Sequence, residues 1–334
     1  MRGKRTLYTV IALLLIVLGI GYFSENKPKA SSNAKTVKIG VLTLMHHPSL
    51  DQIYKGYIDG LKKAGYVRGK NLKMDYQNAN NDQSNLKTMA GKLVNEKSDV
   101  IFSITTPSSQ AVANSTKHIP IVLGAVTDPK GANLVKNMKH PGGNITGVSD
   151  KAPIENQLKL IKRFMPKLKT LGLIYTSSDS SAVSGAQEIQ SLSKKMGIKI
   201  AKYTISNSND LNQVSQQMMS KVDAVIVPTD NTIAGAMSTL VKNANAAKKP
   251  VFPAVQSMVK EGGVATYGVS QRELGEIGAK MTVKILKGED PGSMAISYVK
   301  HGTPILNLKQ AKKLGLKVPS SFLKEAEDKG VVYR

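Results

Sequence analysis

The chain of 334 residues contains no cysteine. Disulfide bonds, thiolate metal sites and a cysteine nucleophile are therefore excluded, and so is an anchor that attaches lipid to a thiol. The signatures of common enzymes are also missing: the sequence has no G-x-S-x-G elbow, no P-loop and no G-x-G-x-x-G loop. No paired acids stand out by their spacing. We therefore expect a binding protein and not an enzyme such as a hydrolase or a racemase.

Acidic residues are scarce, because 23 Asp and Glu face 47 Lys and Arg and leave a formal charge of +24. Such an excess is common in proteins that bind nucleic acid. Here the lysines are scattered, and no helix-turn-helix or aromatic-basic motif accompanies them, so we expect no nucleic-acid partner. An exported basic protein can instead face anionic lipid headgroups or cell-wall polymers. A solvated surface is the simpler interpretation.

The N-terminus, "MRGKRTLYTVIALLLIVLGIGYF", has the order of an export signal, with basic residues before an apolar run. That run, Leu7–Phe23, is 17 residues long, the short limit for a membrane-spanning helix. We predict a signal or membrane anchor over residues 1–23 and a polar linker over 24–35. The basic flank places the folded part on the outer face of the cell membrane. Secretion after cleavage is the alternative.

Strand-like and helix-like segments alternate from Thr36 onward. "TVKIGVLTLM" predicts a strand, and the helical spacing in "SLDQIYKGYIDGLKKAGY" predicts the helix that follows it. The alternation restarts after the Gly- and Pro-rich stretch "HPGGNITGV" and includes single helices near 233–247 and 273–286. This pattern predicts an α/β fold of two Rossmann-like lobes with parallel sheets.

Two polar clusters follow apolar strands at matched positions. "SDVIFSITTPSSQAVANS" and "VDAVIVPTDNTIAGAM" align so that Asp223 and Thr229 lie the same 124 positions after Asp99 and Thr105. Ligands of open α/β sheets bind outside the carboxyl ends of the strands, where helix N-termini present free N–H groups. The candidate ligand-binding residues are Thr105, Thr106 and Ser108 in the first copy and Thr229, Asp230, Asn231 and Thr232 in the second. Such residues are also preferred helix caps, so plain caps in a duplicated fold are the alternative.

Several longer segments resemble a known family. "HPSLDQIYKGYIDGLKKAGYVRGKN", "TTPSSQAVANSTKHIPIVLGAVTDP", "HPGGNITGVSD", "VDAVIVPTDNTIAGAM" and "NLKQAKKLGLKVP" are similar, in this order, to substrate-binding proteins of ABC transporters. The group often labelled tryptophan/tyrosine-binding is the nearest match. The resemblance covers about Thr36 to Pro319. It implies the type I periplasmic-binding fold, in which two lobes joined by three crossovers close on a solute.

The resemblance implies a domain division and a function. The first lobe would comprise 36–149 plus about 270–301, and the second 150–269 plus about 302–334. The protein would be a monomer outside the cytoplasm that captures an amino acid, of aromatic type, and delivers it to the permease and ATPase of an ABC importer. A ligand-sensing ectodomain, or a binder of a sugar or nucleoside, is the alternative on this fold.

A zwitterionic amino acid needs two polar anchors. Its carboxylate suits a helix N-terminus with hydroxyl groups, which favours Thr105, Thr106 and Ser108. Its ammonium suits a carboxylate, either Asp230 or Asp128. An Asp-Pro turn is the alternative role of Asp128, which stands in "AVTDPKG".

Further candidates lie at other strand ends. His47, in "MHHPSL", and Thr127 follow strands, Tyr175 ends "LGLIYT" and could stack on a flat solute, and Ser178 begins the next helix. Many relatives have an acidic pair after "PVF", where this chain reads "PAVQS" with Gln256, which puts the exact ligand in question. A zinc site at the His pair would need further ligands. We therefore expect no metal and no cofactor.

Overall fold

A computed structural model describes residue 3 and residues 36–299 and 302–334. Strands and helices alternate along the chain from residue 37 onward. The anchor predicted over 1–23 and the linker over 24–35 lie outside the described part of the chain, apart from residue 3. The strands are β1 (Val37–Thr43), β2 (Leu72–Asn78), β3 (Val100–Ile104), β4 (Ile121–Leu123), β5 (Ile145–Ser149), β6 (Thr170–Thr176), β7 (Lys199–Ile205), β8 (Ala224–Val227), β9 (Val251–Pro253), β10 (Ala265–Gly268), β11 (Ser297–Tyr298), β12 (Thr303–Asn307) and β13 (Val331–Tyr333).

Most helices connect successive strands. They are α1 (Pro48–Lys63), α2 (Gln83–Asn95), α3 (Thr106–Ser115), α4 (Ile154–Phe164), α5 (Ser180–Lys195), α6 (Leu211–Met219), α7 (Asn231–Gly235), α8 (Met237–Ala246), α9 (Gln256–Lys260), α10 (Gln271–Leu286), α11 (Leu308–Lys313) and α12 (Ser320–Lys329). Among the described residues, none of these helices is both long and apolar enough for a membrane crossing.

The strands form three sheets. The first is parallel, in the order β11-β5-β4-β3-β1-β2, and the second is parallel, in the order β7-β6-β8-β9. A third sheet has the order β10-β12-β13, with β10 and β12 antiparallel. We call the part built on the first sheet the first lobe, and the part built on the other two the second lobe. The predicted α/β fold of two lobes with parallel sheets is confirmed.

The chain passes between the lobes three times. It leaves the first sheet after β5, returns after β10 into α10, and leaves again after β11. Helix α10 lies along α1, and the ring of Tyr57 on α1 stacks on Phe102 at a centroid distance of 3.8 Å. The Tyr57 hydroxyl is 2.9 Å from the hydroxyl of Thr282 on α10, which ties the returning helix to the first lobe.

The central strands of each main sheet are buried on both faces, as expected of parallel sheets covered by helices. Successive side chains of β1 belong to different cores, with Val41 in one and Leu42 in the other. In β6 the same alternation separates Leu173 and Tyr175 from Ile174. The central strands therefore supply the cores, whereas the edge strands β2 and β7 have partly exposed polar side chains along their length.

The helix predicted as one element over 233–247 is two helices, α7 and α8. Ala236 separates them with φ −122°, outside the helical range. A methyl group at the preceding Gly235 would lie 2.9 Å from Met45 Cε of the first lobe. The break therefore occurs where the second lobe comes close to the first. The short helix α9 spans too few residues to show a helical period in the sequence.

Candidate ligand-binding site

A cavity lies between the carboxyl ends of the strands in the two lobes. The space between atoms there is about 440 Å³, a figure that includes open solvent at the mouth of the cavity. It is lined by His47, Ser49, Leu50, Thr105, Thr106, Ala125, Thr127, Asp150, Ser181, Thr229, Asp230, Asn231, Ala234, Val255 and Gln271. Both lobes therefore contribute to its wall.

Several helices begin at this cavity. Ser49, Thr106, Ser181 and Gln271 stand in the first turns of α1, α3, α5 and α10, and all four line the cavity. The first four N–H groups of a helix have no partner within the helix. The cavity wall therefore has a positive dipole contribution that suits an anionic group.

His47 is the residue before α1. Its Nδ1 accepts a hydrogen bond of 3.3 Å from the backbone N–H of Ser49, so in the neutral ring the proton is on Nε2. Burial lowers the pKa of His47, against a raising effect from Asp51. The buried Nε2 has no hydrogen-bond partner and lies 4.0 Å from Glu261 Oε1 of the second lobe. His47 Nε2–H thus lies at the cavity beside the backbone of Ala234, which also raises the His47 pKa, and it completes no hydrogen bond there.

Thr105 and Thr106 connect β3 to α3. Thr105 has φ +87° and ψ 159°, a left-handed conformation that is costly for a β-branched residue. Its hydroxyl lies 3.2 Å from that of Ser108, which is buried but does not line the cavity. The buried hydroxyl of Thr106 has no partner. The cavity therefore contains a second polar group that a ligand can satisfy.

Asp230 is both a helix cap and a cavity residue. Its carboxylate accepts hydrogen bonds from the Ile233 N–H (2.9 Å) and from the Thr176 N–H and hydroxyl (2.6 and 3.0 Å). Only 1% of the residue is exposed. Burial raises the pKa of Asp230 to about 6, and the charge of Asp179 adds to the rise, although these hydrogen bonds oppose it. A nearby cation would compensate the buried charge.

Asp150 lies one residue beyond β5, where the chain leaves the first lobe. Its carboxylate accepts a hydrogen bond of 2.9 Å from the Thr127 hydroxyl, which also lines the cavity. Burial raises the pKa of Asp150 to about 6, and the charge of Asp179 raises it further. The cavity wall therefore contains two buried carboxylates, Asp150 and Asp230. The negative charge of Asp179 raises the pKa of both.

The structure places seven of the predicted binding residues at the cavity: His47, Thr105, Thr106, Thr127, Thr229, Asp230 and Asn231. The other six, Ser108, Asp128, Tyr175, Ser178, Thr232 and Gln256, are not among its lining residues. For all thirteen residues, contact with a ligand stays a prediction.

The contacts of four of these outer residues explain their positions. Asp128 accepts hydrogen bonds from the Gly131 N–H and from the Ser184 hydroxyl. The bond from Gly131, three residues later, is that of the turn considered from the sequence. Tyr175 packs in one core of the second lobe, on the same face of β6 as Leu173, while Ile174 packs in the core on the opposite face. The Ser178 hydroxyl donates to the Ser206 carbonyl at 3.2 Å. The Gln256 amide donates to the Tyr333 hydroxyl at 3.0 Å.

Eight residues that line the cavity were not predicted: Ser49, Leu50, Ala125, Asp150, Ser181, Ala234, Val255 and Gln271. Asp150 had a usable signal, because it directly follows a buried strand, as the predicted Asp230 nearly does. Ala125, Ala234 and Val255 are small or aliphatic and carry no local sign of a site. Within the described part of the chain, no group of three His, Asp or Glu residues could hold a metal ion.

The two kinds of polar group match a zwitterion. Helix N-termini and free donors suit a carboxylate, and two buried carboxylates suit an ammonium. Two α/β lobes joined by three crossovers around such a cavity define a solute-binding protein with the type I periplasmic-binding fold. The profile of the ABC transporter substrate binding proteins matches residues 38–329. The chain therefore belongs to this family, whose members bind solutes and are not enzymes.

Similar proteins include binders of aromatic amino acids. The chain is 35% identical to a tyrosine-binding protein of Clostridioides difficile over 322 residues, which are 94% of this chain and 93% of that protein. A domain from Streptococcus pneumoniae solved in complex with L-Trp is 41% identical, with a TM-score of 0.86 over 89% of this chain and 100% of that one. A ligand-free, open substrate-binding protein with adhesive properties from Clostridium difficile is 37% identical, with a TM-score of 0.70 over 89% of this chain and 99% of that one.

Proposed function

We propose that this protein is the extracytoplasmic binding component of an ABC importer and that it captures an aromatic amino acid between its lobes for delivery to a permease. The observation on which the proposal rests is the cavity itself. Its wall combines the first turns of α1, α3 and α10 with the buried carboxylates Asp150 and Asp230.

The two ends of the cavity wall give the ligand an orientation. In our proposal the ammonium group lies between Asp150 and Asp230, since a cation offsets the cost of burying their charges. The carboxylate accepts hydrogen bonds from the start of α3, including the unpartnered Thr106 hydroxyl, and from His47 Nε2.

The apolar part of the wall suits a flat side chain. Leu50, Ala125, Ala234 and Val255 line the cavity and present only hydrocarbon. An aromatic ring between such groups is removed from water without displacing a hydrogen bond. The similarity to a tyrosine-binding protein and to a complex with L-Trp supports the aromatic class.

Isothermal titration calorimetry against the twenty amino acids, common sugars and nucleosides tests this function. The protein is first unfolded and refolded to remove bound solute. We expect L-Trp or L-Tyr to bind with a Kd of about 1 μM or lower, roughly −8 kcal/mol. Binding of a sugar or a nucleoside alone would contradict the amino-acid class. A signalling partner in place of a permease would favour the sensing ectodomain.

We also propose that residues 1–23 anchor the protein to the outer face of the membrane without cleavage. The basic, then apolar, order of this segment and the missing cysteine support an anchor that needs no lipid. The protein should fractionate with membranes and keep its N-terminus. A mature N-terminus within the linker, together with recovery from the culture fluid, would instead indicate secretion.

The lobe bounds and the monomeric state belong to the same proposal. The sheets support lobes of 36–149 plus about 270–301 and 150–269 plus about 302–334, because β11 pairs with β5 and β12 pairs with β10. Light scattering with and without L-Trp should give the mass of a monomer.

A further inference from the structure

Two hydrogen bonds join the lobes across the cleft beside the cavity. The hydroxyls of Ser49 on α1 and Ser257 on α9 are 2.8 Å apart. The Ser184 hydroxyl on α5 donates to Asp128 Oδ2, in the first lobe, at 2.9 Å. Each pair has one member in each lobe, so neither bond survives when the lobes separate.

We propose that these two pairs are latches, in which Ser184 and Ser257 act as positioning residues that hold the closed lobes together and slow the escape of the ligand. The proposal rests on the proposed function in that it takes the cavity as the binding site. Neither Ser184 nor Ser257 lines the cavity, so their effect on the ligand would be exerted through closure.

The chemistry of the pairs suits a reversible latch. A neutral hydroxyl pair and a hydroxyl–carboxylate pair at half-buried positions are weak enough to exchange for water when the lobes open. The Asp128 carboxylate is fixed in the orientation that Ser184 requires, because its other oxygen accepts a hydrogen bond of 2.8 Å from the Gly131 N–H. A ligand that binds the closed state more tightly then gains affinity from the two hydrogen bonds between the lobes, although it contacts neither of them.

The same assignment gives Asp128 a role. The sequence placed it among the candidate partners of the ligand ammonium, but its carboxylate faces α5 and Gly131. On our proposal Asp128 affects binding by closing the cleft, while Asp150 and Asp230 meet the ligand.

The test combines Ser184→Ala and Ser257→Ala with Ser184→Thr, which keeps the hydroxyl. Ser220→Ala is the matched control, because the exposed Ser220 hydroxyl donates to Gln217 within the second lobe. Each latch variant should raise the dissociation rate of L-Trp or L-Tyr about two- to tenfold, the size of one hydrogen bond. The double variant should show the product of the two effects, since the pairs share no residue. Ser184→Thr and the control should match the parent.

Closure itself is measured by fluorescence transfer between dyes at Lys87→Cys on α2 and Lys202→Cys on β7, both exposed. The absence of native cysteine makes this labelling specific. We expect the latch variants to have a smaller closed fraction than the parent, without ligand as well as with it. Equal closed fractions, or dissociation rates changed less than twofold by both Ala variants, would overturn the latch. If neither amino acid binds to the parent, the proposed function fails, and the closed fraction without ligand still decides the latch.

Discussion

Asp223 and Asp230 flank the same strand, β8, and their surroundings act on them in opposite directions. At the start of the strand, Asp223 accepts hydrogen bonds of 2.8 Å from the backbone N–H groups of Lys169 and Thr170. Its pKa is lowered, chiefly by the Thr170 bond. Beyond the other end, burial raises the pKa of Asp230 to about 6. The fold thus favours the ionised form of Asp223, whereas burial disfavours the ionised form of Asp230, and a cation beside Asp230 would offset that cost.

This contrast makes Asp230→Asn and Asp223→Asn a matched pair. Asp230→Asn should weaken binding of L-Trp or L-Tyr by about 1.5–3 kcal/mol, the range for a hydrogen bond to a charged group. Asp223→Asn should lower the free energy of unfolding by about 1 kcal/mol and leave affinity within about twofold. Calorimetry and urea unfolding measure the two quantities. If Asp230→Asn alters only stability, Asp230 is a helix cap and the ammonium lies elsewhere.

Thr105 should be a source of strain in the empty protein. Its φ of +87° suits glycine, whereas a residue with a β-carbon pays about 1–3 kcal/mol there. Glycine itself costs about 0.5–1 kcal/mol in chain entropy. Thr105→Gly should therefore be more stable than Thr105→Ala by about 1 kcal/mol, although both lose the same hydroxyl.

Thr88, an exposed residue of α2, provides the control for Thr105. There the Gly variant should be less stable than the Ala variant by about 1 kcal/mol, because glycine is a poor helix former. Urea unfolding of the four variants measures both differences. The same order at both positions would show that Thr105 is not strained.

The local part of this architecture could be predicted from the sequence, and its long-range part could not. Strand ends followed by helix caps mark Thr105 and Asp230 within a few residues. Asp150 reaches the cavity only because β5 lies beside β4 in the sheet. Gln256 meets Tyr333 of the C-terminal strand, a partner that no local pattern indicates. Tyr175 could have been placed in the core, since Leu173, two residues earlier on the same strand face, is buried there.

The contact between α1 and α10 should depend on Gly275. A methyl group there would overlap the backbone carbonyl oxygen of Ile53, and backbone cannot move aside as a side chain can. We expect Gly275→Ala to destabilise the protein by about 2 kcal/mol or more, as overpacking does. Gly91→Ala on α2 is the control, because its methyl group would meet nothing within 4 Å. That variant should gain about 0.5–1 kcal/mol from helix propensity. Similar unfolding midpoints for the two variants would refute the close contact.

Ligand affinity should fall as the pH falls through about 6. Asp150 and Asp230 both have pKa values raised to about 6, and only their ionised forms attract an ammonium. Below pH 6, the affinity for L-Trp or L-Tyr should therefore decrease by about tenfold per pH unit for each carboxylate that must ionise.

The free energy of unfolding of the empty protein should change with pH in the opposite direction over the same range. Because the folded pKa of each carboxyl lies above its unfolded value of 3.8, the folded state holds these protons more tightly. Their contribution to stability is present below about pH 4 and is lost as the pH rises through 6. Calorimetry and urea unfolding between pH 4.5 and 8 measure the two trends in the parent and in Asp150→Asn and Asp230→Asn. Each substitution should flatten both trends, since amides do not titrate. An affinity that is constant from pH 5 to 7 in the parent would show that neither carboxylate meets the ligand ammonium.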